Sequence, residues 1–378
     1  MSDTTRPVVN GPAAGAQSPP RTAATTDQPF VTIVVPALDE EGYIEACLLS
    51  LVGQWRADAC EILVMDGGSR DATAAIVRAV AARHAAAGLA IRLLDNPGRI
   101  QSAAVNLAAR LADPRCTVLL RADAHAAYPP GFVRCCVAEL LRTGATSVVV
   151  PMRNVARADA PLQRAIAAAQ SSRLGNGGSA HRIAATSRFV EHGHHAAFDR
   201  DFFLSLGGYD ESFTHNEDAE FDHRQLMAGG RIWMCVDVPV TYFPRRALHS
   251  LARQYFQHGH GRARTLLKHR LPPRPRQMAP VVALGSVAGG LALAPVAPGV
   301  AVMALAYPAL CLGWGAAQAV TRRDPWLLAS GAALIAMHMG WANGFIRAVL
   351  RRRRPSAPRP RAASGSLPAG ARAGDPPS

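Results

Sequence analysis

Short apolar runs alternate with stretches of helical periodicity over the first part of the chain. The apolar runs have the length and β-branched content of buried strands, and they occupy residues 31–36, 61–66, 91–94, 117–120 and 147–151. Helical spacing fills the first three intervals, over residues 41–54, 71–84 and 99–111. Strands that recur about every 30 residues with helices between them are typical of βαβ units. The pattern therefore predicts an α/β fold with a mostly parallel, Rossmann-like sheet and helices on both faces.

The second part of the chain is far more apolar. No charged residue occurs from Met278 to Val320, and this run is about twice as long as a bilayer-spanning helix needs. Prolines divide it into spans near 278–293 and 299–320, and a third apolar segment covers 326–350. We expect two or three transmembrane helices. Three full spans would carry arginines 351–354 outside the cell, against the positive-inside rule. Either this protein departs from the positive-inside rule, or the third segment lies in the membrane interface or re-enters the membrane from the same side.

The net charge of +14 makes nucleic acid a candidate partner until the charges are located. Residues 1–244 carry 22 arginines and 25 acidic residues. By contrast, no acid occurs from Val238 to Arg323, and nine basic residues lie between Arg245 and Arg276. The basicity flanks the apolar region, which is the pattern of a surface for anionic membrane lipids. It argues against a nucleic-acid groove in the α/β part.

These patterns predict five segments: a disordered leader (1–28), an α/β domain (29–245), a basic interfacial helix region (246–277), a membrane region (278–350) and a disordered basic tail (351–378). The N-terminus has no apolar signal-peptide core. Seven cysteines without a C-x-x-C pair favour a reducing compartment and suggest neither zinc nor a disulfide framework. We therefore expect the protein at the inner (plasma) membrane, with the α/β domain in the cytoplasm.

Polar residues follow the predicted strands, at Asp39 and Glu40, Asp66, Arg99, and Asp123 with His125. Because carboxyl ends of parallel strands meet at one edge of a sheet, these side chains are expected to build one pocket. Asp123 and His125 lie two apart, so on a strand both would converge on one ion or phosphate group. A strand that ends in a polar turn fits the same residues equally well. Neither a dinucleotide-binding glycine motif nor a P-loop is present, so we expect a divalent cation to neutralise phosphate.

Three stretches carry a family resemblance: IVVPALDEE at 33–41, VMDGGSRD at 64–71, and DAH at 123–125 before two prolines. They resemble the nucleotide-binding half of a family 2 glycosyltransferase of the GT-A fold, closest to the succinoglycan-type exopolysaccharide glucosyltransferases. The resemblance covers roughly residues 30–270. It implies that Pro36, Leu38 and Glu40 border the nucleotide, that Asp66 holds the uracil, and that Asp123 lies by the diphosphate.

Two positions depart from the family pattern. Gly67 stands where a second acid is expected beside Asp66, and His125 stands where the metal-binding carboxylate usually falls. Because a histidine nitrogen is a competent ligand for a first-row ion, metal binding survives this change. The resemblance therefore implies Mn²⁺ or Mg²⁺ as cofactor, held by Asp123 and His125.

An acidic cluster, HNEDAEFD at 215–222, follows the run GGYDE at 207–211. Four acids in this cluster are compatible with a solvated first turn of a helix, where carboxylates suit the helix dipole. An inverting sugar transfer, however, needs a carboxylate to take the acceptor hydroxyl proton. The E-D pair of the family matches Glu217 and Asp218, so the resemblance implies that Asp218 is the base, with Glu217 beside it.

Two further sets of residues remain open at this point. Arg262 or Arg264, on a helix from Leu248, either contacts the leaving diphosphate or lies at the lipid surface. The run HGHH at 192–195 has no carboxylate at ligand spacing, which favours a polar strand lining the sugar pocket over a metal cluster.

The sequence and the resemblance together predict a membrane-anchored, metal-dependent inverting glycosyltransferase of exopolysaccharide synthesis. The expected donor is a UDP-sugar, with glucose as the sugar. The expected acceptor is a polyprenyl-diphosphate-linked saccharide, reached from the membrane lipids. Transfer to polyprenyl phosphate or to a membrane glycolipid is the alternative within this class. The alternative from another class is a non-catalytic membrane-bound scaffold, which would not need Asp66, Asp123 and Asp218 together.

Overall fold

The computed structural model describes residues 28–177 and 186–351. The strands are β1 (Phe30–Ala37), β2 (Cys60–Asp66), β3 (Ala90–Asp95), β4 (Cys116–Arg121), β5 (Ala126–Ala127), β6 (Ser147–Val150), β7 (Met152–Asn154), β8 (Arg188–Val190), β9 (His194–Asp199), β10 (Ile232–Met234) and β11 (Val240–Tyr242). The predicted leader and tail lie outside the described residues, apart from residues 28 and 351.

The helices alternate with these strands and then follow them. They are α1 (Ile44–Leu51), α2 (Thr73–Ala85), α3 (Gln101–Leu111), α4 (Phe132–Thr143), α5 (Pro161–Ser171), α6 (Arg173–Asn176), α7 (Arg200–Ser205), α8 (Glu217–Met227), α9 (Leu248–His269), α10 (Pro275–Leu293), α11 (Pro298–Thr321) and α12 (Ala329–Arg351). Short 3₁₀ turns lie at Ala57–Ala59 and Pro325–Leu328.

Eight strands form one sheet in the order β3-β2-β1-β4-β9-β6-β10-β8. β1 pairs in parallel with β2 and β4, and β9 runs antiparallel between β4 and β6. The predicted mostly parallel α/β sheet is confirmed. A small second sheet, β5-β11-β7, links the segment after β4 to the segment before α9.

The two faces of the sheet are covered by different helices. Along β1, Val31, Ile33 and Val35 pack into a core with side chains of α1, α2 and α4. The intervening Val34 packs on the opposite face, with residues of α3, α7 and α8. Because neighbouring residues of a strand point to opposite faces, a run that is apolar at every position must be covered on both sides. The helices on both faces, as predicted, supply that cover.

The C-terminal helices pack on the α/β part through α9. At Gly259 on α9 and Gly344 on α12, an added Cβ would overlap the backbone of the opposite helix, so the two helices approach closely there. α11 and the segment Pro325–Arg351 have the length and hydropathy to cross a bilayer. The third apolar segment is therefore a continuous helix. By contrast, α10, which contains Arg276 and an internal Pro280, does not have the combination of length and hydropathy of a membrane-spanning helix.

Apolar side chains of α11 are exposed instead of buried. Val302 is 72% exposed, Met303 is 76% exposed and Leu310 is 64% exposed. Soluble proteins rarely expose contiguous apolar surface of this kind. The exposed face of α11 therefore fits a lipid environment.

Candidate active site

A cavity of about 1180 Å³ opens where β4 ends and α8 begins. Five of the predicted site residues line it: Asp123, His125, Glu217, Asp218 and Arg262. The other five, Pro36, Leu38, Glu40, Asp66 and Arg99, lie at or just beyond the ends of β1, β2 and β3 and do not line this cavity. Glu40 reaches it indirectly, through a contact with His125. The structure thus brings together the metal, base and arginine candidates, beside the nucleotide candidates.

Asp218 is held by three donors on one oxygen. Its Oδ1 accepts hydrogen bonds from Arg121 Nη1 at 2.6 Å and from the hydroxyl of Tyr209 at 3.0 Å, and it lies 3.1 Å from His195 Nδ1. All the side-chain contacts described for this carboxylate use Oδ1. Oδ2 is therefore available to a group in the cavity, which is the geometry a general base needs.

Arg121 is the buried counter-charge of the site. Its side chain is 4% exposed, and its guanidinium lies 2.6 Å from Asp218, 3.3 Å from Asp123 and 3.8 Å from Glu217. Burial alone would lower the pKa of Arg121, but the charges of Asp218 and Asp123 outweigh it and raise the pKa further. A permanently charged arginine lets three carboxylates share one buried region.

The site shifts the pKa values of Glu217 and Asp218 in opposite directions. Burial, and then the charge of Asp218, raises the pKa of Glu217 to about 7. Burial also opposes ionisation of Asp218, but Arg121 and His195 outweigh it and hold the pKa of Asp218 well below its usual range. Asp218 is also the more exposed of the two side chains, at 18% against 7%. Asp218 is therefore ionised and accessible, while Glu217 is about half protonated at neutral pH.

His195 joins Asp218 to a second acid on α8. Its Nδ1 faces Asp218, and its Nε2 lies 2.8 Å from Oδ1 of Asp222. Burial alone would lower the pKa of His195, but Asp222 and Asp218 raise it to about 9. The ring therefore carries a charge at neutral pH and orients both carboxylates. As expected of a polar strand beside a pocket, the run at 192–195 leads into β9, and its residues 192–194 line the cavity. The carboxylates that local spacing lacked come from α8.

Asp123 and His125 lie in a turn and not on a strand. β4 ends at Arg121, and the amide of Ala126 donates to the Asp123 carbonyl at 3.1 Å, which closes the turn. The expectation that strand alternation aims both side chains at one point is therefore wrong. The polar-turn alternative is the one observed, yet both side chains still line the cavity.

The donor set around this turn fits a divalent cation. His125 Nδ1 lies 3.1 Å from Oε1 of Glu40, and its Nε2 has no hydrogen-bond partner among the described residues; metal-binding histidines are commonly oriented in this way. Asp123 Oδ2 lies 3.5 Å from His194 Nε2. Among the described residues, these groups do not form a cluster of three ligand atoms within reach of one another. An ion held here would need oxygen ligands from a bound diphosphate as well.

Asp66 lies at the end of β2, in register with Ala37 of β1. Its Oδ1 accepts hydrogen bonds from the backbone amide and the hydroxyl of Ser69, at 3.0 and 2.6 Å. The loop that follows β1 is tied to the same segment, because the amide of Arg70 donates to Asp39 at 2.7 Å. These contacts fix the two loops that follow β1 and β2, and the role of Asp66 in nucleotide binding stays a prediction.

The two arginines left open by the sequence have different surroundings. Arg264 donates to the carbonyl and the hydroxyl of Ser212, at 2.7 and 2.9 Å, so its guanidinium is engaged in a loop contact. Arg262 lines the cavity, and no carboxylate pairs with it in the described part of the chain. Burial lowers the pKa of Arg262 to about 10, so it remains charged at neutral pH. Arg262 is the better candidate for an anionic ligand.

The cavity continues from these charged groups to the apolar helices. Its far wall is formed by Ala279, Pro280 and Ala283 of α10, Tyr307 of α11, and Trp341 of α12. One volume therefore connects the acids of α8 with the helices whose outer surface suits a bilayer.

Sequence reasoning missed Arg121, although it is a charged residue at the end of an otherwise apolar strand. His194, His195 and Asp222 lie in stretches that the sequence singled out, but their contacts could not be inferred from local spacing, since the partners lie more than twenty residues away in the sequence.

Comparisons with known proteins identify the family and support the fold. The family model "Glycosyl transferase family 2" matches residues 32–207. The chain is 43% identical over 322 residues to "Succinoglycan biosynthesis protein ExoA" of Rhizobium meliloti (strain 1021), covering 85% of this chain and 96% of that protein. Its fold is similar to that of a mannosyltransferase from Pyrobaculum calidifontis solved with GDP-Man and Mn²⁺, with TM-score 0.51, 24% identity, and coverage of 84% and 88%. The chain belongs to glycosyl transferase family 2.

Proposed function

We propose that this protein transfers glucose from a UDP-sugar, with inversion, to a polyprenyl-diphosphate-linked saccharide in exopolysaccharide synthesis. The observation that carries the proposal is the single cavity that joins Asp218 and Arg262 to the apolar residues of α10, α11 and α12. A lipid-linked acceptor needs both ends of such a cavity. The relative named for succinoglycan biosynthesis supports the exopolysaccharide assignment.

In this proposal Asp218 is the general base. Arg121, Tyr209 and His195 fix its Oδ1, so Oδ2 takes the proton from the acceptor hydroxyl as the bond to the sugar forms. The low pKa of Asp218 means that it is ionised before the acceptor binds. Arg121 stays in place throughout and prevents repulsion between the carboxylates on either side of it.

The donor diphosphate would lie between the turn at Asp123 and Arg262. Asp123 and His125 would hold Mn²⁺ or Mg²⁺, which when bound supplies positive charge for the diphosphate leaving group. Arg262 has a guanidinium without a carboxylate partner in the described structure, and guanidinium geometry matches phosphate oxygens. Pro36, Leu38, Glu40, Asp66 and Arg99 would contact the nucleotide from the ends of the neighbouring strands.

The helices at the far end of the cavity support a reaction at a membrane surface. We infer that the protein lies in the inner membrane with its catalytic domain in the cytoplasm, and that basic residues of α9 and of the segment before α10 contact anionic lipids. The segment boundaries given by the sequence, with the catalytic domain at 29–245 and the membrane region at 278–350, belong to the same proposal.

The decisive experiment combines donors and acceptors in a matrix. Full-length protein in lipid nanodiscs is incubated with UDP-glucose, other UDP-sugars or GDP-mannose, together with a polyprenyl-diphosphate saccharide, polyprenyl phosphate or a glycolipid. We expect a β-linked product from UDP-glucose on the diphosphate-linked saccharide, identified by mass spectrometry and NMR. Transfer to polyprenyl phosphate alone would replace the acceptor assignment. No transfer in any cell of the matrix, with metal present, would favour the scaffold alternative.

A further inference from the structure

Two thiols and a carboxylate meet at a place that does not line the cavity described above. Cys135 lies on α4, Cys235 directly follows β10, and Asp237 lies two residues further on. The sulfur atoms of Cys135 and Cys235 are 3.2 Å apart, and the sulfur of Cys235 is 4.0 Å from Oδ2 of Asp237. The three potential ligand atoms all lie within 4.8 Å of one another.

The two cysteines are carried by firmly placed backbone. The amide of Cys235 donates to the carbonyl of Val149 at 2.9 Å, which continues the pairing of β10 with β6. Cys135 lies in the first turns of α4, where its amide donates to the Gly131 carbonyl at 2.8 Å. Sites on helices and strand ends hold ligand atoms more precisely than sites on free loops.

We propose that Cys135, Cys235 and Asp237 bind one Zn²⁺ ion. In a tetrahedral site with zinc–sulfur bonds of about 2.3 Å, two sulfur atoms lie roughly 3.8 Å apart, and sulfur and oxygen lie roughly 3.5 Å apart. The separations of 3.2 and 4.0 Å fall on either side of these values. Small side-chain rotations therefore bring the three atoms to ligand positions.

The chemistry of the ligands selects zinc over the ions expected beside Asp123. Thiolates are soft ligands that suit Zn²⁺, whereas Mg²⁺ and Mn²⁺ prefer oxygen. On binding, each thiol loses its proton to solvent and each sulfur forms one bond to the ion. The two sulfur atoms are already in contact, and either thiol can donate the hydrogen bond between them. Since Asp237 is exposed and Cys135 is partly exposed, a water molecule can complete the coordination.

Such an ion would tie α4 to the turn between β10 and β11. β11 pairs with β5, and β5 follows the turn that carries Asp123 and His125. α4 begins only a few residues after β5. The ion would therefore join the helix that follows β5 to the turn that precedes β11, and these two strands pair in the small sheet. The proposed ion has a structural role and takes no part in the transfer reaction.

The test measures bound zinc in full-length protein purified in detergent with reductant and no added chelator. We expect one zinc per chain by mass spectrometry of the metal. Cys135→Ser and Cys235→Ser should lose it, and Cys60→Ser, a buried cysteine outside the cluster, should keep it. Asp237→Asn changes an exposed side chain and will not prevent folding. It should weaken zinc binding by at least about 10-fold, the lower end of the cost of losing even a supporting hydrogen bond at a metal site.

Cobalt substitution separates this site from the cation site at Asp123. Co²⁺ bound by Cys135 and Cys235 should give thiolate-to-metal charge-transfer absorption, which the ligands Asp123 and His125 cannot produce. The absorption should persist in Asp123→Asn and disappear in Cys235→Ser. Failure to bind either ion after reconstitution under reducing conditions would overturn the proposal. Zinc content and cobalt absorption that survive both cysteine substitutions would also overturn it. So would isolation of the wild-type chain with a Cys135–Cys235 disulfide and no metal.

Discussion

Neutralising Glu217 and neutralising Asp218 should change stability and activity in opposite patterns. Glu217 has a pKa raised to about 7 by burial and by the charge of Asp218, from an ordinary value of 4.5. Asp218 has a lowered pKa because Arg121 and His195 outweigh its burial. The variants Glu217→Gln and Asp218→Asn keep the shape of each side chain and remove only its charge. They therefore separate catalysis from the electrostatic cost of the buried pair.

Proton linkage fixes how Glu217 changes the free energy of unfolding as the pH rises. Between pH 4.5 and about 7 the folded state binds a proton that the unfolded state has lost, so this group makes the protein less stable as pH rises through that window. Glutamine avoids this cost. A shift from 4.5 to about 7 corresponds to roughly 3 kcal/mol. Glu217→Gln should therefore unfold with a free energy up to about 3 kcal/mol higher than wild type at pH 8, and with little difference at pH 4.

Asp218 affects the pH dependence of stability in the opposite direction. Its folded pKa is depressed, so its contribution is present above its ordinary pKa and is lost as pH falls. Asp218→Asn gives up charged hydrogen bonds to Arg121 and His195, each worth about 1.5–3 kcal/mol. Because Arg121 keeps Asp123 and Glu217 as partners, the expected loss at pH 7 is near the lower end of that range. The difference from wild type should shrink in acid.

The activity of the two variants tests the base assignment. Asp218→Asn should lower kcat by about 10²-fold or more, the usual contribution of a general base, with donor affinity nearly unchanged. Glu217→Gln should lower kcat by a smaller factor. Nucleotide-sugar titration, single-turnover rates and denaturant unfolding from pH 4 to 8 measure these effects. If Asp218→Asn turns over normally while Glu217→Gln is inert, the base is Glu217. Activity in both variants would refute the inference from this cluster to catalysis.

Three further predictions concern the metal, the anion contact and the membrane helices. Activity should vanish in excess chelator and return with Mn²⁺ or Mg²⁺. In a Mn²⁺ titration the variant His125→Asp should remain active, and His125→Ala should not. Equal loss of activity in both variants would give His125 a role other than metal binding. Arg262→Met should raise the KM for the donor by about 10- to 100-fold, the cost of a lost charged hydrogen bond, while Arg264→Met, whose guanidinium contacts a loop, should leave KM near wild type in steady-state assays. Gly344→Val should lower stability by about 1–3 kcal/mol or more through overlap with α9, and Gly285→Val, which meets open space, should not; equal thermal unfolding of the two variants in detergent would contradict the close packing of α9 on α12.

The sequence by itself determined the architecture and much of the site. Buried strands and their covering helices are local patterns, because burial on one or both faces dictates which positions along 31–36 or 61–66 must be apolar. The uncharged run from Met278 to Val320 is equally local, because its length and composition are visible in one continuous stretch of the chain. Asp218 and Asp123 were found through a family resemblance and through their position after an apolar run, both of which a single stretch can carry. The roles assigned to these residues stay predictions.

Only the tertiary structure decided which of these groups touch. Arg121 and Asp218 are separated by 97 residues, and His195 and Asp222 by 27, so no local spacing indicates their contacts. The choice between Arg262 and Arg264 depended on which guanidinium already had a partner, and the turn at Asp123 depended on where β4 stopped pairing. Cys135 and Cys235 are 100 residues apart, so their contact could not be inferred from the sequence either. Periodicity reports how a segment meets water or its covering layer, whereas a buried charge cluster depends on distances between segments, which only the folded chain sets.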